Sequence, residues 1–441
     1  MMTLIFLVII ICAIIFATAK LNLHPFLTLL LAAIIMGFLS GLDARTVIER
    51  LTEGFGNTLK SIGIVIACGT IIGTFLEKSG GARSMAASIL KSVGEKRAPL
   101  AMSITGFIIS IPVFCDSGFV ILSTLNKALS RKTGLSLAVL AIALATGLYT
   151  THVFVPPTPG PLAAAATLGA DIGLIILLGL IVSIPTAITG LIWARYYCNR
   201  FSILTDKIDE LSTQEEKDPS PSLAFTPLIV PIFLIALKSI ADYPSAPFGI
   251  GLIKDAFSFI GHPVFALLVG VFISFGLRNK QNKEQVHFDW VALGLKNAGV
   301  IILITGAGGA FGTVLRATGI GDTMGEIMSQ WQVGILLPFL ISAVLKSAQG
   351  SSTVAIITTA ALIAPLLGPL SLATPVAKAL VVLAIGAGSM TVSHINDSYF
   401  WVVAQFSNMD TATALRCHTL ATLIQGFTGI TVIAGLAWIL L

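Results

Sequence analysis

The chain has 441 residues, of which 55% are hydrophobic and only 11% are charged. A soluble protein of this size could not bury that much apolar surface in its core, so the composition excludes a water-soluble fold and indicates a polytopic membrane protein embedded in the lipid bilayer. The net charge of +5 is accounted for by basic loops between apolar segments, and we therefore infer no nucleic-acid partner.

Apolar stretches long enough to cross a bilayer recur along the whole chain. The first has no basic segment before it and no cleavage motif after it, so we interpret it as a retained helix and not as a cleaved signal peptide. Two longer stretches are broken by polar residues and predict hairpins. The unbroken stretches lie at about 2–19, 22–41, 59–77, 134–151, 172–194, 223–240, 262–277, 297–315, 374–393 and 417–441, and the broken ones at about 98–126 and 333–368.

The broken stretches belong to a sequence unit that occurs twice. Gly73-Thr74-Phe75-Leu76 aligns with Gly312-Thr313-Val314-Leu315. In each copy a polar break inside an apolar hairpin follows, and a histidine, His152 or His394, then ends an apolar run. Duplicated apolar units that are interrupted by Gly, Pro and polar residues indicate a secondary transporter whose site lies between the repeats.

Basic residues predict the orientation of the two repeats. Lys and Arg concentrate in 78–97, 127–132, 195–217 and 278–296, which the positive-inside rule places in the cytoplasm. The first hairpin is then entered from the inside, and the count of crossings makes the second hairpin open on the other side. The repeats are therefore predicted to be inverted, which is the architecture of alternating access.

The predicted fold is an all-α polytopic membrane protein in which each inverted repeat contains a hairpin and a broken helix. A highly charged segment with two prolines separates the halves and is interpreted as a solvated cytoplasmic linker. The predicted parts are N-terminal helices at 1–56, the first repeat at 57–198, the linker at 199–222, further helices at 223–296 and the second repeat at 297–441.

Polar breaks inside the apolar segments are the candidate binding site, because non-helical backbone at membrane depth persists only where protein or a water-filled cavity satisfies it. Two breaks start outgoing half-helices, at Ser117-Gly118 and at 349–353. Helix N-termini carry free N–H groups and a positive dipole end, so together these two can bind a carboxylate without a fixed cation.

Two further breaks, at 150–161 and 393–398, supply the hydroxyl, amide and imidazole groups that a polyhydroxylated substrate needs. The alternative is that individual Ser and Thr hydroxyls only cap the ends of broken helices. The predicted substrate-binding residues are Asp116, Ser117, Gly118, Thr150, Thr151, His152, Thr158, Gln349, Gly350, Ser351, Ser352, Thr353, Ser393, His394, Asn396, Asp397 and Ser398.

Ionisable residues inside apolar segments are the candidates for proton coupling, because placing a charge there is costly. Asp116 and Asp397 occupy corresponding breaks, and a partly buried carboxyl can take up and release a proton. His152 and His394 could shuttle the proton or donate to the substrate. Lys346 could neutralise either carboxylate or the substrate. The alternative for each residue is a structural hydrogen bond to an unwound carbonyl.

The sequence gives little support for a metal site, an enzyme or a channel. The five cysteines form no C-x-x-C pair and no Cys/His metal spacing, so we predict no metal and no cofactor, with the proton as the coupling ion. A membrane-embedded hydrolase that uses Asp116 and a histidine is the alternative from another class, but G-x-S-x-G, HExxH and paired-Asp motifs are absent. A passive channel is the third alternative, and concentrative uptake would distinguish it.

Four strings, IPVFCDSGFVIL, THVFVPPTPGPLA, KSAQGSSTVA and SHINDSYFW, resemble the bacterial gluconate:proton symporter family in order and over nearly the full length. Members of that family carry gluconate, idonate or D-serine. The resemblance implies proton-coupled uptake of gluconate across the inner membrane, with D-serine or another hydroxy acid as the alternative substrate. It also implies a fold like that of the ion transporter superfamily, with a dimerising scaffold at 1–56 and 223–296 and a transport domain of two opposed hairpins that moves as an elevator.

Overall fold

The computed structural model describes residues 2–19, 21, 23–203, 218–241, 251–277, 285–319, 334–395 and 397–441. Throughout these ranges the regular structure is helical, which confirms the predicted all-α class. Most of the predicted linker at 199–222 lies outside the described residues, and so does Asn396 of the candidate site.

Local sequence signals set the helix ends in the first half of the chain. The Asp43 carboxylate accepts a hydrogen bond from the N–H of Thr46 at 3.0 Å, and Asp171 accepts one from Leu174 at 2.7 Å, which satisfies free N–H groups at two helix starts. Gly134 ends another helix with a φ of +71°, a conformation that strains other residues. The helices are α1 (Met2–Ala19), α2 (Pro25–Leu39), α3 (Ala44–Lys78), α4 (Gly81–Val93), α5 (Ala98–Ile109), α6 (Cys115–Thr133), α7 (Leu137–Phe154), α8 (Pro159–Leu168) and α9 (Ile172–Tyr196).

Similar capping contacts set the helix ends in the second half of the chain. Thr374 and Asp410 accept hydrogen bonds from N–H groups three residues further on, at 3.2 and 2.7 Å, and so begin two helices. The helices are α10 (Pro221–Ala241), α11 (Leu252–Ile260), α12 (Pro263–Ser274), α13 (Gln285–Ala317), α14 (Leu336–Gln349), α15 (Ser352–Ile363), α16 (Pro375–Met390), α17 (Ser398–Phe406), α18 (Thr411–Ala414) and α19 (Leu420–Leu440), with a π-helical turn at Leu415–Thr419 between the last two.

The predicted apolar stretches coincide with helices, and α4, α8, α11, α17 and α18 lie outside them. By length and composition, five helices of the described residues can span a membrane, or up to seven if two bent pairs each count as one span. Other predicted spans form shorter apolar helices, among them α2, α14, α15 and α16. The shorter helices belong in part to the hairpins and broken segments that the polar breaks predict.

The first hairpin turns slightly earlier than the sequence predicts. Its outgoing helix α6 begins at Cys115, so Ser117 and Gly118 lie inside the first turn and do not start the helix. The N–H of Gly118 is already bonded to the carbonyl of Phe114 at 2.8 Å. The free N–H groups of this helix end therefore belong to the residues that precede Gly118.

The break predicted at 150–161 is shorter in the structure, because α7 continues to Phe154. The N–H of Val155 still reaches the carbonyl of Thr151 at 2.9 Å, so helical hydrogen bonding extends past the predicted break. The helix stops where Pro156 and Pro157 follow, since neither has an N–H group to continue the ladder.

Glycines allow close packing between equivalent helices of the two repeats. The incoming hairpin helix α5 packs on α7, and a Cβ at Gly147 would lie 2.2 Å from the Ser103 carbonyl oxygen. In the second repeat α14 packs on α16, and a Cβ at Gly388 would lie 2.2 Å from the Phe339 carbonyl oxygen. Small residues of this kind let membrane helices approach closely. The duplicated sequence thus forms the same contact twice.

Two central helices carry the polar breaks. Every residue of α7 is buried, α16 is buried along most of its length, and the two helices contact each other. By contrast, one side of α9 presents a row of large apolar side chains that are 40–55% exposed and spaced for a single helix face. That row is formed by Leu177, Ile181, Ile184, Ile188 and Ile192. An outward apolar face of this kind suits a membrane protein.

We predict that Gly147→Ala lowers the free energy of unfolding by about 1–3 kcal/mol, because the added methyl group overlaps the α5 backbone. Gly435→Ala is the control, since a Cβ at Gly435 meets nothing within 4 Å. It should leave stability unchanged or raise it, because Ala favours a helix over Gly. Unfolding of the purified protein in detergent measures both, and equal stability of the two variants would contradict the close packing.

We also predict that single cysteines at Lys96 and Ala373 are labelled from opposite faces of the membrane, as inverted repeats require. Both positions are exposed, and the background variant needs Cys12→Ser because Cys12 is exposed as well. A membrane-impermeant maleimide should label the Ala373 position in intact cells and the Lys96 position only in permeabilised cells. Labelling of both positions from one face would contradict the inverted arrangement.

Candidate functional site

A buried ion pair joins the second hairpin to the break after α16. Lys346 of α14 and Asp397 are 1% and 3% exposed, and the Lys346 ammonium group contacts one carboxylate oxygen of Asp397. The same ammonium group donates to the carbonyl oxygen of Gly350 at 3.0 Å. Charges in a low-dielectric interior persist only when they are paired and hydrogen-bonded, and Lys346 meets both conditions.

The tip of the second hairpin turns around Lys346. After α14 ends, Gly350 adopts a φ of +77°, which places its carbonyl within reach of the lysine. Ser351 then begins α15, and its hydroxyl accepts the N–H of Val354 at 3.4 Å. The second predicted hairpin break is therefore present at 350–351, between two helices.

Asp397 is held from two further sides. The Ser393 hydroxyl donates to the carboxylate oxygen that contacts Lys346, and the N–H of Tyr399 donates to the other oxygen at 3.1 Å. Asp397 is thus the N-terminal cap of α17, where the positive end of the helix dipole favours a negative charge. The break of the second repeat fixes this carboxylate next to Lys346.

Asp116 brings a second carboxylate near this pair, but from the tip of the first hairpin and not, as predicted, from the break that corresponds to that of Asp397. It lies in the first turn of α6, close enough to Asp397 and Lys346 for their charges to interact. Its Oδ1 atom is buried and has no hydrogen-bond partner among the described residues. Two carboxylates and one ammonium group therefore interact electrostatically, and the group of three keeps one excess negative charge while both carboxylates are ionised. One proton would neutralise it.

Aromatic rings cover the cluster, although nothing in the sequence marks them as part of a site. The Lys346 ammonium group lies 5.9 Å from the centre of the Tyr149 ring, which is within the range of a cation–π interaction. The Tyr149 hydroxyl donates to the Ser389 carbonyl at 3.2 Å, and the Tyr399 hydroxyl donates to the Ala145 carbonyl at 2.9 Å. Aromatic residues within apolar helices resemble ordinary core residues in the sequence, which conceals this arrangement.

The two equivalent histidines have different surroundings. His152 is buried, its ring centre lies 6.1 Å from that of Phe114 at the first hairpin, and its Nδ1 atom has no hydrogen-bond partner in the described part of the chain. His394 is half-buried, and its Nε2 atom lies 3.1 Å from the Ser347 carbonyl oxygen. His152 therefore faces the first hairpin, and His394 holds the second.

Three predicted threonines donate to backbone carbonyls. Thr150 donates to Thr146 at 2.7 Å and accepts a hydrogen bond from Gln425 of α19 at 2.8 Å. Thr151 donates to the Phe107 carbonyl at 2.8 Å, which ties α7 to the first hairpin. Thr158 donates to the carbonyl three residues before it at 2.7 Å. These hydroxyls stabilise broken helices in this structure, and their contact with substrate stays a prediction.

The other predicted residues occupy the two hairpin tips and the start of α17. Ser117 is half-buried, and Gly118 packs against Leu148. In the second repeat Ser352 is buried and Thr353 is half-buried, while Ser398 is exposed. The side chain of Gln349 lies outside the described part of the structure. The structure therefore brings Lys346, Gly350, Ser393 and Asp397 into direct contact, and Asp116 lies close enough for its charge to act on them.

Comparison with known proteins relates the chain to permeases. Residues 2–440 match the family model described as GntP family permease. An uncharacterised permease of Haemophilus influenzae is 38% identical over 408 residues, which cover 88% of this chain and 82% of that protein. A gluconate permease of Pseudomonas aeruginosa is 34% identical over 432 residues, which cover 96% and 94%. The L-idonate transporter of the Escherichia coli Gnt-II system is 30% identical over 411 residues, which cover 92% of each chain.

Two solved structures resemble the fold. The YdaH transporter of Alcanivorax borkumensis superposes with a TM-score of 0.63 at 14% identity, over 94% of this chain and 99% of that one. MtrF of Neisseria gonorrhoeae, described as an antimetabolite efflux pump, superposes with a TM-score of 0.65 at 15% identity, over 95% and 96%. At such low identity these structures establish the fold and carry no information on substrate.

We predict that Lys346→Met lowers the free energy of unfolding by about 3–5 kcal/mol, because it leaves the Asp397 carboxylate buried without its partner. Adding Asp397→Asn should recover most of that loss, since Asn removes the unpaired charge and can still cap α17. Unfolding of the purified variants in detergent tests both statements. If the double variant is no more stable than Lys346→Met alone, the ion pair does not account for the loss.

Proposed function

The chain belongs to the GntP permease family, and we propose that it imports gluconate or a closely related small hydroxylated carboxylate together with a proton across the bacterial inner membrane. The family and its named relatives are permeases, so the chain is a membrane transporter and not a hydrolase. Relatives named for gluconate or L-idonate support a sugar-acid substrate. The observation that carries the proton coupling is the cluster of two carboxylates around Lys346.

The charge balance of this cluster links proton and substrate. An anionic substrate cannot approach while both Asp116 and Asp397 are ionised, because the cluster is already negative. Protonation of Asp397 removes the ionic partner of Lys346, which can then pair with the substrate carboxylate. The N-termini of α6 and α15 add positive dipole ends and hydrogen-bond donors nearby. Proton and anion therefore bind together, which is the requirement for symport.

We assign substrate hydroxyl recognition to the remaining polar groups of the breaks, with Ser117, Ser352 and Thr353 at the hairpin tips as the first candidates. The proton is the only coupling ion in this proposal, and no metal or organic cofactor takes part. The resemblance to the ion transporter superfamily supports a moving unit that contains both hairpins and a scaffold formed by residues 1–56 and 223–296. It also supports inverted repeats and a homodimer joined through the scaffold.

Uptake of labelled gluconate into proteoliposomes tests the proposal. We expect uptake against a concentration gradient when the outside is acidic, with collapse on addition of a protonophore. Competition by unlabelled L-idonate and D-serine identifies the preferred substrate within the family. Uptake that only equilibrates gluconate would favour a passive channel, and uptake that ignores an imposed pH gradient would exclude proton coupling.

We predict that Asp116→Asn and Asp397→Asn each abolish uphill gluconate uptake, because an amide cannot carry a proton. Gluconate counterflow needs no net proton movement and should survive in part in at least one of the variants. Asp43→Asn is the matched control, since Asp43 is an exposed helix cap that precedes all four breaks in the chain. Wild-type accumulation by both Asn variants would place the proton route elsewhere.

A further inference from the structure

The segment that leads into α19 holds the polar break of the second repeat at Ser393. The N–H of Ser393 donates to the Thr422 hydroxyl at 3.0 Å, and its carbonyl accepts from the Thr419 hydroxyl at 2.6 Å. The Ser393 hydroxyl contacts the ring nitrogen Nε2 of His418 at 3.1 Å. Every polar group of Ser393 is thus bonded to this last part of the chain or to Asp397.

The backbone next to Ser393 is strained. Val392 has a φ of +60°, a conformation that β-branched residues rarely adopt and that costs about 1–3 kcal/mol. A strained residue persists only where its surroundings hold it. The contacts from Thr419 and Thr422 provide that restraint, and they fix the direction of the Ser393 hydroxyl.

His418 is buried within a π-helical turn, a feature that is rare and often found at functional sites. The Ser393 hydroxyl proton is directed to Asp397, so the hydroxyl oxygen accepts and the Nε2–H of His418 donates to it. This assigns the Nε2–H tautomer to the neutral ring. Its Nδ1 atom is then a bare acceptor, and it has no hydrogen-bond partner among the described residues.

Successive hydrogen bonds all point from His418 towards Asp397. His418 donates to Ser393, and Ser393 donates to Asp397, which is paired with Lys346. Next to His418, the Cys417 carbonyl accepts from the Trp193 indole at 3.0 Å, near the end of α9. The basic segment at 195–217 that follows α9 is predicted to be cytoplasmic. His418 therefore lies between Asp397 and the predicted cytoplasmic face.

We propose that His418 and Ser393 form the route by which Asp397 releases its proton to the cytoplasm, an inference that rests on the proposed proton-coupled uptake. Before release, Asp397 is protonated and donates to Ser393, Ser393 donates to Nε2 of His418, and Nδ1 carries a proton. Loss of the Nδ1 proton to water lets the Ser393 proton move to Nε2 and the Asp397 proton move to Ser393. One proton leaves, and Asp397 becomes a carboxylate.

The end of this sequence is the hydrogen-bond pattern in the structure. Asp397 is paired with Lys346, Ser393 donates to it, and the Nε2–H of His418 donates to Ser393. Recovery of the Lys346–Asp397 pair removes the positive charge that held the substrate carboxylate. Release of the proton from Asp397 and release of the substrate are thus coupled. Because His418 is buried, water must reach Nδ1 in another conformation of the transporter.

The surroundings of His418 contain few other titratable groups. From α17 the Tyr399 ring packs against it at 5.4 Å between ring centres, and from α7 Tyr149 packs in turn against Tyr399. Asp397 and Lys346 lie close enough for their charges to act on the imidazole, and Ser393 bonds to both Asp397 and His418. Its own turn carries Arg416, which is exposed, and Cys417, which is buried, and α18 begins after the exposed Asp410. Among these neighbours, Ser393 links the imidazole directly to Asp397.

His418→Gln tests the route, because Gln can donate one hydrogen bond to Ser393 but cannot exchange a proton. Proteoliposomes loaded with a pH-sensitive dye report proton entry alongside labelled gluconate. We expect net uphill uptake and its proton entry to fall by about 100-fold, the lower range for loss of a positioned proton-transfer group. Gluconate counterflow and thermal stability should stay near wild type. The dependence of net uptake on internal pH should be lost.

Ser393→Ala interrupts the same route while His418 remains. The double variant should transport no more slowly than the slower single variant, because residues of one pathway are not additive. His262→Gln is the matched control, since His262 is an exposed helix cap outside the cluster, and it should behave as wild type.

The outcomes separate the two proposals. Wild-type uptake without proton entry refutes the proposed symport and the route with it. Coupled wild-type uptake with unchanged proton entry in His418→Gln refutes the route alone. Loss of counterflow together with net uptake in His418→Gln would show a structural role for this histidine and would also refute the route.

Discussion

The need to neutralise Lys346 inside a low-dielectric interior organises the second repeat. An unpaired ammonium group there would cost several kcal/mol, so its partners must be supplied by the fold. Gly350 turns the hairpin so that a carbonyl faces the lysine, and Asp397 meets it from the break after α16. The hairpin and the broken helix are therefore joined by charge as well as by packing. Any step that alters the charge of Asp397 must also alter how these two elements fit together.

The two repeats share a backbone plan but differ in chemistry. Both pack an incoming hairpin helix against the next long helix through a glycine, Gly147 or Gly388, and both end that helix near a histidine. The cation belongs to the second repeat, while the first contributes Asp116 from the start of α6. A carboxylate on one hairpin thus faces an ion pair on the other. This asymmetry gives the cluster its excess negative charge, which a symmetric pair of repeats would not produce.

Tight packing stabilises the centre of this fold, and polar networks stabilise the breaks in its helices. Glycine contacts and the buried α7 and α16 form a rigid centre in which a methyl group would overlap backbone atoms. Polar groups at the breaks bond to neighbouring helices: Thr151 donates to α5, the N–H of Ser393 donates to α19, and Thr150 accepts from Gln425 of α19. The resemblance to YdaH and MtrF shows that proteins of other families share this fold.

The sequence by itself determined the membrane class, the helical fold, the duplicated hairpins and the family, because composition, apolar length and motif strings are local properties of the chain. It also identified Asp116, Lys346 and Asp397, since a charge within an apolar run is conspicuous and costly. Only the tertiary structure paired Lys346 with Asp397 and placed Thr150 against Gln425. It alone brought His418 to Ser393, because the sequence places this histidine at the start of an apolar stretch but does not show which break that stretch packs against. That contact forms only when the π-helical turn and α19 pack against the break at Ser393, and this packing depends on the tertiary arrangement of all the surrounding helices.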